Sequence, residues 1–107
     1  MTSHQSLVEE LQRLDKEDPL VHTLLSRHHQ EIKTAFDTTS RSYPTSRQLY
    51  GVLEEPEIHP AMLARVLGYL ATIDIIDWYT VRDGANRYDL REYDAARFKR
   101  VVNLIAE

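Results

Sequence analysis

Apolar residues recur along this chain at two different periods, and the switch between them divides it. From Ser6 to Leu14, Leu7, Val8, Leu11 and Leu14 share one helical face, which predicts a short amphipathic helix. Asp18-Pro19 ends it and starts another, with Asp18 as the cap and Pro19 at the first helical position. From Leu20 to about Thr38 the apolar positions are Val21, Leu24, Leu25, Ile32, Ala35 and Phe36, with His28 on the same stripe. This predicts the longest helix in the chain. Residues 38–44 read as a polar connection. Thr45-Ser46-Arg47-Gln48 then fits a capping box: the Thr45 hydroxyl accepts from the amide of Gln48, and the Gln48 side chain reaches back. Leu49, Val52 and Leu53 give that helix its apolar face, and Glu54-Glu55-Pro56-Glu57 stops it, since Pro56 lacks an N–H and disfavours helix at Glu55. Pro60 opens the next helix. Leu63, Val66, Leu67 and Leu70 form an i, i+3, i+4, i+7 stripe that Ile73 continues. Its other side carries Ala61, Met62, Arg65, Gly68, Tyr69 and Thr72. Asp74 falls at the helix end, where a residue that tolerates the left-handed conformation is wanted.

After Asp74 the period shortens. Residues 75–81 (Ile-Ile-Asp-Trp-Tyr-Thr-Val) are β-branched and aromatic, which favours a strand. Asp83-Gly84-Ala85-Asn86 is a turn signal. Arg87-Tyr88-Asp89-Leu90-Arg91 alternates charged and apolar, a half-exposed return strand. Trp78, Tyr79 and Tyr88 are expected to pack under this hairpin on at least one face; outward projection of Tyr79 and Tyr88 would instead make a contact patch. Asp94 caps a last helix with Phe98, Val101, Val102 and Ile105 inside and Arg97, Lys99, Arg100 and Asn103 outside. The expected order is α-α-α-α-β-β-α in one domain over 1–107, mainly α with a β-hairpin.

Composition narrows the function classes. At 107 residues the chain is large enough for one core. It has no Cys, so neither a disulfide framework nor a thiolate metal site is available. No run of about 18 apolar residues suggests a membrane span, and the N-terminus lacks the basic start and apolar core of a secretory signal. A cytoplasmic protein is the expectation. The formal charge is −4. Residues 1–40 hold four basic and seven acidic side chains, a net of −3; residues 41–107 hold nine and ten, a net of −1. This counts against a general nucleic-acid coat, and a DNA binder would have to gather its few arginines on one face, because phosphate neutralisation supplies much of the affinity.

The elements from Leu20 to Ile105 resemble the winged helix-turn-helix superfamily. The resemblance is carried by Leu63-Ala64-Arg65-Val66-Leu67-Gly68-Tyr69-Leu70 running through Ile75-Ile76 into the Asp83-Gly84 turn. Within the superfamily the pattern is similar to archaeal transcription regulators and to the C-terminal domain of archaeal replication initiators; these 107 residues hold no counterpart of the initiators' ATPase domain, so an initiator role is not carried over. Two departures stand out. A Gly commonly occupies the place of Asp74, and Arg65 is the only charge on the outer face of its helix. The resemblance implies a winged-helix core over 20–107, preceded by an additional helix within 1–17. It implies that the 60–73 helix enters the major groove of double-stranded DNA and that the 82–87 wing lies on the backbone. Arg65 would then read a base edge or a phosphate, and His59, Tyr69 and Thr72 would bond phosphate or base. Arg47 would hold a phosphate at the start of its helix, and Arg82 and Arg87 would clamp the backbone. The bland alternative is that these arginines are solvated, some of them paired with Asp83, Asp89 or Glu92.

Other chemistry is thinly signalled. His22, His28, His29 and Glu31 do not fall on one helical face, so no metal is expected; His28 should pack on the apolar stripe with a nitrogen bonded, and His29 should be exposed. Asp74 and Asp77 are a carboxylate pair, but one reads as a helix terminator and the other as a strand residue. With three Gly a phosphate cradle is lacking, so neither an enzyme nor a cofactor is expected. The extra N-terminal helix needs an apolar partner, either its own domain or a second chain. A homodimer built on it and the last helix is expected, since two half-sites gain avidity. The expectation is a small dimeric DNA-binding regulator. Its alternative is a protein-contact module, distinguished by whether Glu54, Glu55 and Glu57 interrupt a positive stripe across Arg47, Arg65, Arg82 and Arg87.

Overall fold

The computed structural model describes residues 4–80 and 86–106, residues 4–6 by their backbone alone. Val81, Arg82 and the Asp83-Gly84-Ala85 part of the expected turn lie outside the described residues. What is described forms five helices and one two-stranded antiparallel hairpin: α1 (His4–Glu17), α2 (Pro19–Thr38), α3 (Ser46–Gly51), α4 (Pro60–Thr72), β1 (Asp77–Thr80), β2 (Asn86–Asp89) and α5 (Ala95–Ala106). Among the described residues, no helix is long and apolar enough to cross a membrane.

The helix boundaries follow from local chemistry. Asp18 Oδ1 accepts from the amide of Val21 at 3.3 Å, and Pro19 takes the first position of α2. At α3 both hydrogen bonds of the capping box are made: Gln48 N donates to Thr45 Oγ1 at 3.2 Å and Thr45 N to Gln48 Oε1 at 3.0 Å. α4 ends where Asp74 turns left-handed at φ 64°, letting the Ile75 amide bond back to Leu70 O at 3.0 Å. Asp94 caps α5 by accepting from Arg97 N at 2.9 Å.

The helical stripes meet in one core. Leu7, Leu11 and Leu14 are buried against α2 and α5, so α1 spends its apolar face within its own chain. Val21, Leu24, Leu25, Ile32, Ala35 and Phe36 of α2 and Leu63, Val66, Leu67 and Leu70 of α4 all join the same cluster. Ile58 anchors the connection between α3 and α4 from below, while Glu54, Glu55 and Glu57 face solvent.

Besides α3, which stops at Gly51 ahead of the expected stop at 54–57, five features depart from expectation. Residues 42–45 are more than a polar connection: Leu90 N donates to Ser42 O at 3.0 Å, Tyr88 N to Pro44 O at 2.9 Å, and Thr45 bridges Arg87. The segment lies along the free edge of β2. It carries no alternation to betray it, and Pro44 itself can accept there but not donate. Second, the strand starts at Asp77 because Ile75 and Ile76 are both buried, which consecutive strand residues with one core face cannot be. Third, Trp78 and Tyr79 are 47% and 44% exposed, so of the three hairpin aromatics only Tyr88, 3% exposed, packs inward, and Tyr79 takes the outward alternative. The two isoleucines take the core positions before the strand leaves it. Fourth, Arg97 was expected on the outer face of α5 but is 6% exposed, its Nε donating to Ile73 O at 2.6 Å. The last carbonyls of a helix lack intrahelical donors and carry partial negative charge, and the guanidinium meets both needs for α4. The return strand also stops early, at Asp89, where the chain makes a single 3₁₀ turn over Leu90–Glu92.

Candidate nucleic-acid interface

The outer face of α4 is the stripe Ala61, Arg65, Gly68 and Thr72, spaced i, i+4, i+7, i+11 and exposed throughout. It is flat and almost uncharged. Gly68 sits in the third turn of a thirteen-residue helix, and a Cβ built there meets nothing within 4 Å. Glycine in a helix interior costs roughly 0.5–1 kcal/mol against alanine. Packing among the described residues gives no return for that cost.

Arg65, the one charge on the stripe, is engaged. Its Nη2 donates to Asp18 Oδ1 at 3.3 Å and Oδ2 at 3.2 Å, and the side chain remains 48% exposed. The partner is none of the acids expected for it. Asp18 sits 47 residues earlier, at the α1–α2 corner, where Asp15 and Glu17 are also exposed.

The other expected contacts are placed unevenly. His59 is exposed just before α4, but its Nδ1 accepts from Ala61 N at 3.2 Å and so caps the helix. Thr72 is on the stripe, its hydroxyl donating back to Gly68 O at 3.0 Å. Tyr69 is not on the stripe. Its hydroxyl is buried without a hydrogen-bond partner among the described residues. Burial first, and then Glu10 of α1 against an opposing effect of Arg13, push its phenol up to about 12. Both of those charges belong to α1, the added helix. Arg47 is exposed in the first turn of α3. The Thr45–Arg87 bridge brings the Arg87 backbone beside that turn, and Arg87 Nη1 donates to Tyr43 O at 3.1 Å. Arg82 lies outside the described residues. The structure therefore gathers Arg65 and Thr72 on α4, with His59 capping that helix, and Arg47 and Arg87 near the start of α3.

A second surface joins the outward Tyr79 to residues that the sequence does not connect with it. On the hairpin, Tyr79 meets Tyr43 edge-on with centroids 5.9 Å apart, and the Arg91 guanidinium lies 4.8 Å from the Tyr43 ring centre. Arg91 also grips Asp89, Nε to Oδ1 at 3.2 Å, and that hydrogen bond holds the Asp89 carboxyl below its ordinary range. These residues come from three segments of the chain, so no local pattern could have joined them. Asp74, Asp77, Asp89 and Glu92 line a shallow notch at the hairpin base. His28 is half-buried with Nδ1 2.8 Å from Glu31 Oε1, as expected, while Glu31 Oε2 accepts from Glu57 N at 2.9 Å. His29 is half-buried rather than exposed. Among the described residues no three or more His, Asp and Glu side chains gather closely enough to hold a metal ion.

No protein-family model, curated protein or solved structure matches the chain.

Proposed function

We propose that this chain is a winged-helix DNA-binding protein, a small dimeric transcriptional regulator that sets α4 in the major groove and its hairpin on the flanking backbone. The observation that carries the reading is Gly68. A mid-helix glycine on an open, flat stripe is costly for the fold and useful only where another backbone comes close. The element order supports it too: a long helix, an extended segment on the hairpin edge, two helices joined by a turn, then the hairpin.

Magnitudes decide whether the Asp18–Arg65 pair forbids this. An exposed ion pair is worth roughly 0–1 kcal/mol. A good bidentate contact of arginine with guanine discriminates by about 1–3 kcal/mol. Arg65 gains by exchanging Asp18 for DNA, so Asp18 weakens binding without preventing it. The net charge of −4 keeps the affinity of one copy low, and a second copy compensates by avidity. With the α1 stripe used internally, the dimer contact falls to the half-buried edge of Val8, Leu104 and Ile105.

A second reading is a protein-contact module, favoured by the exposed neighbours Trp78 and Tyr79 and by the acids Glu54, Glu55 and Glu57 beside the α4 start. Fluorescence anisotropy with a random 30-base-pair duplex across a salt series separates the two. Affinity falling steeply with salt, with a slope of several released counterions, is expected. A folded protein that does not bind at low salt would leave the protein-contact reading standing.

A further inference from the structure

A concavity away from α4 lies between the C-terminal half of α2 and the first turns of α5. It encloses about 650 Å³, within the ~300–1,000 Å³ of small-molecule sites. Its floor is aromatic and aliphatic. Phe98 and Tyr93 lie 6.4 Å apart, each braced by Phe36 at 6.1 and 4.8 Å, and Val102 extends the floor one turn along α5. Three rings locked against each other make a rigid surface that will not collapse into the groove. The exposed alanines Ala95 and Ala96 leave its mouth open.

The rim sets the charge of an occupant. Lys33 Nζ is held by Asp37 Oδ2 at 2.6 Å, one turn along α2, so that pair is neutral in sum. Lys99 is exposed at the opposite wall, and no carboxylate among the described residues lies within ion-pair distance of it. A single uncompensated cation therefore stands over an apolar floor, in a chain whose net charge is −4. Tyr93 adds no negative charge: burial first, then the Asp37 carboxylate, push its phenol up to about 12, so it remains an O–H at neutral pH.

We infer that this groove is a binding site for an amphipathic monocarboxylate, its apolar body laid on Tyr93, Phe98 and Val102 and its carboxylate at Lys99. The inference is independent of the DNA-binding reading, because neither α4 nor the hairpin contributes to the groove. The apolar body supplies the affinity through burial, and the lysine selects the anion.

The test uses the full chain and three probes: the dye 1-anilinonaphthalene-8-sulfonate, sodium decanoate and decanol. The dye is expected to bind saturably, and decanoate to displace it. Lys99→Gln should weaken decanoate about fivefold, the worth of one exposed ion pair, and leave decanol unchanged. Asp37→Asn, which frees the Lys33 ammonium, should tighten decanoate, a gain that unfolding cannot mimic. Lys16→Gln, on α1, should alter neither competitor. The proposal is overturned if decanoate neither displaces the dye nor gives calorimetric heat of its own. It is overturned equally if Lys99→Gln shifts decanoate and decanol alike or not at all, or if Lys16→Gln weakens decanoate as much as Lys99→Gln does. Near-UV circular dichroism of each variant confirms that the aromatic floor is intact.

Discussion

Two arginines tie α4 to the rest of the molecule, and they do so in opposite ways. Arg97 reaches in from α5 and gives its Nε proton to the Ile73 carbonyl at 2.6 Å, buried. Arg65 reaches out from α4 to Asp18 across 3.2 Å, half in water. The first meets a carbonyl whose solvent has been removed, so breaking it strands a buried acceptor. The second meets a carboxylate that water would otherwise solvate, so breaking it costs little. The same side chain is therefore a fixed strut at one junction and an exchangeable contact at the other, with burial as the difference.

That contrast can be broken most directly at its stronger end. Arg97→Ala should cost about 2–3 kcal/mol, the loss of a charged hydrogen bond with an acceptor left unsatisfied. In urea the midpoint should fall with an unchanged m-value; a loss below about 1 kcal/mol would show that water or a neighbour replaces the guanidinium. Arg65→Ala should barely move the urea midpoint. On duplex DNA it should weaken binding by about 1–3 kcal/mol if Arg65 makes a bidentate base contact. Unchanged affinity for a cognate duplex would take Arg65 out of the interface.

Two smaller effects sharpen the picture of the surface between these junctions. Gly68→Ala should stabilise the fold by about 0.5–1 kcal/mol, since space above the position is open. Gly68→Leu should still fold but lose duplex affinity; binding as tight as that of the unsubstituted chain would mean that nothing approaches α4 closely. Tyr69→Phe should be neutral to slightly stabilising at pH 7, because the hydroxyl it removes is buried without a partner among the described residues. Its pH dependence has a definite sign. A phenol raised from 10.0 to about 12 contributes stability that is complete below pH 10 and lost as pH climbs towards 12. Melting curves across that window should fall less for Tyr69→Phe than for the unsubstituted chain. Tyr93, also raised to about 12, leaves part of the alkaline loss in place.

Much of the fold was legible because its signals are short-range. Asp18-Pro19, the Thr45/Gln48 box, Pro60 and Asp94 act on amides within three residues, and each cap forms where the residues imply it. Asp74 accepts the left-handed conformation in the place where glycine is usual. The candidate site was legible only as a set of residue types. His59 serves its own helix, Tyr69 buries its hydroxyl, Arg87 props the 42–45 segment, and among the described residues Arg65, Thr72 and Arg47 stand on open surface beside the exposed His59.

The chain itself determined where its capped helices start and which apolar stripe of each faces inward, because capping and periodicity are decided within one or two turns; the end of α3 at Gly51, ahead of the Pro56 signal, it did not. Tertiary structure decided which charges meet. Asp18 reaches Arg65 across 47 residues, Tyr43 receives Arg87 across 44, and Ile73 receives Arg97 across 24. It also brought α2 and α5 together to open a groove that neither helix announces alone. No periodicity encodes such pairings, since they depend on where separate elements come to rest once their apolar faces have found one another.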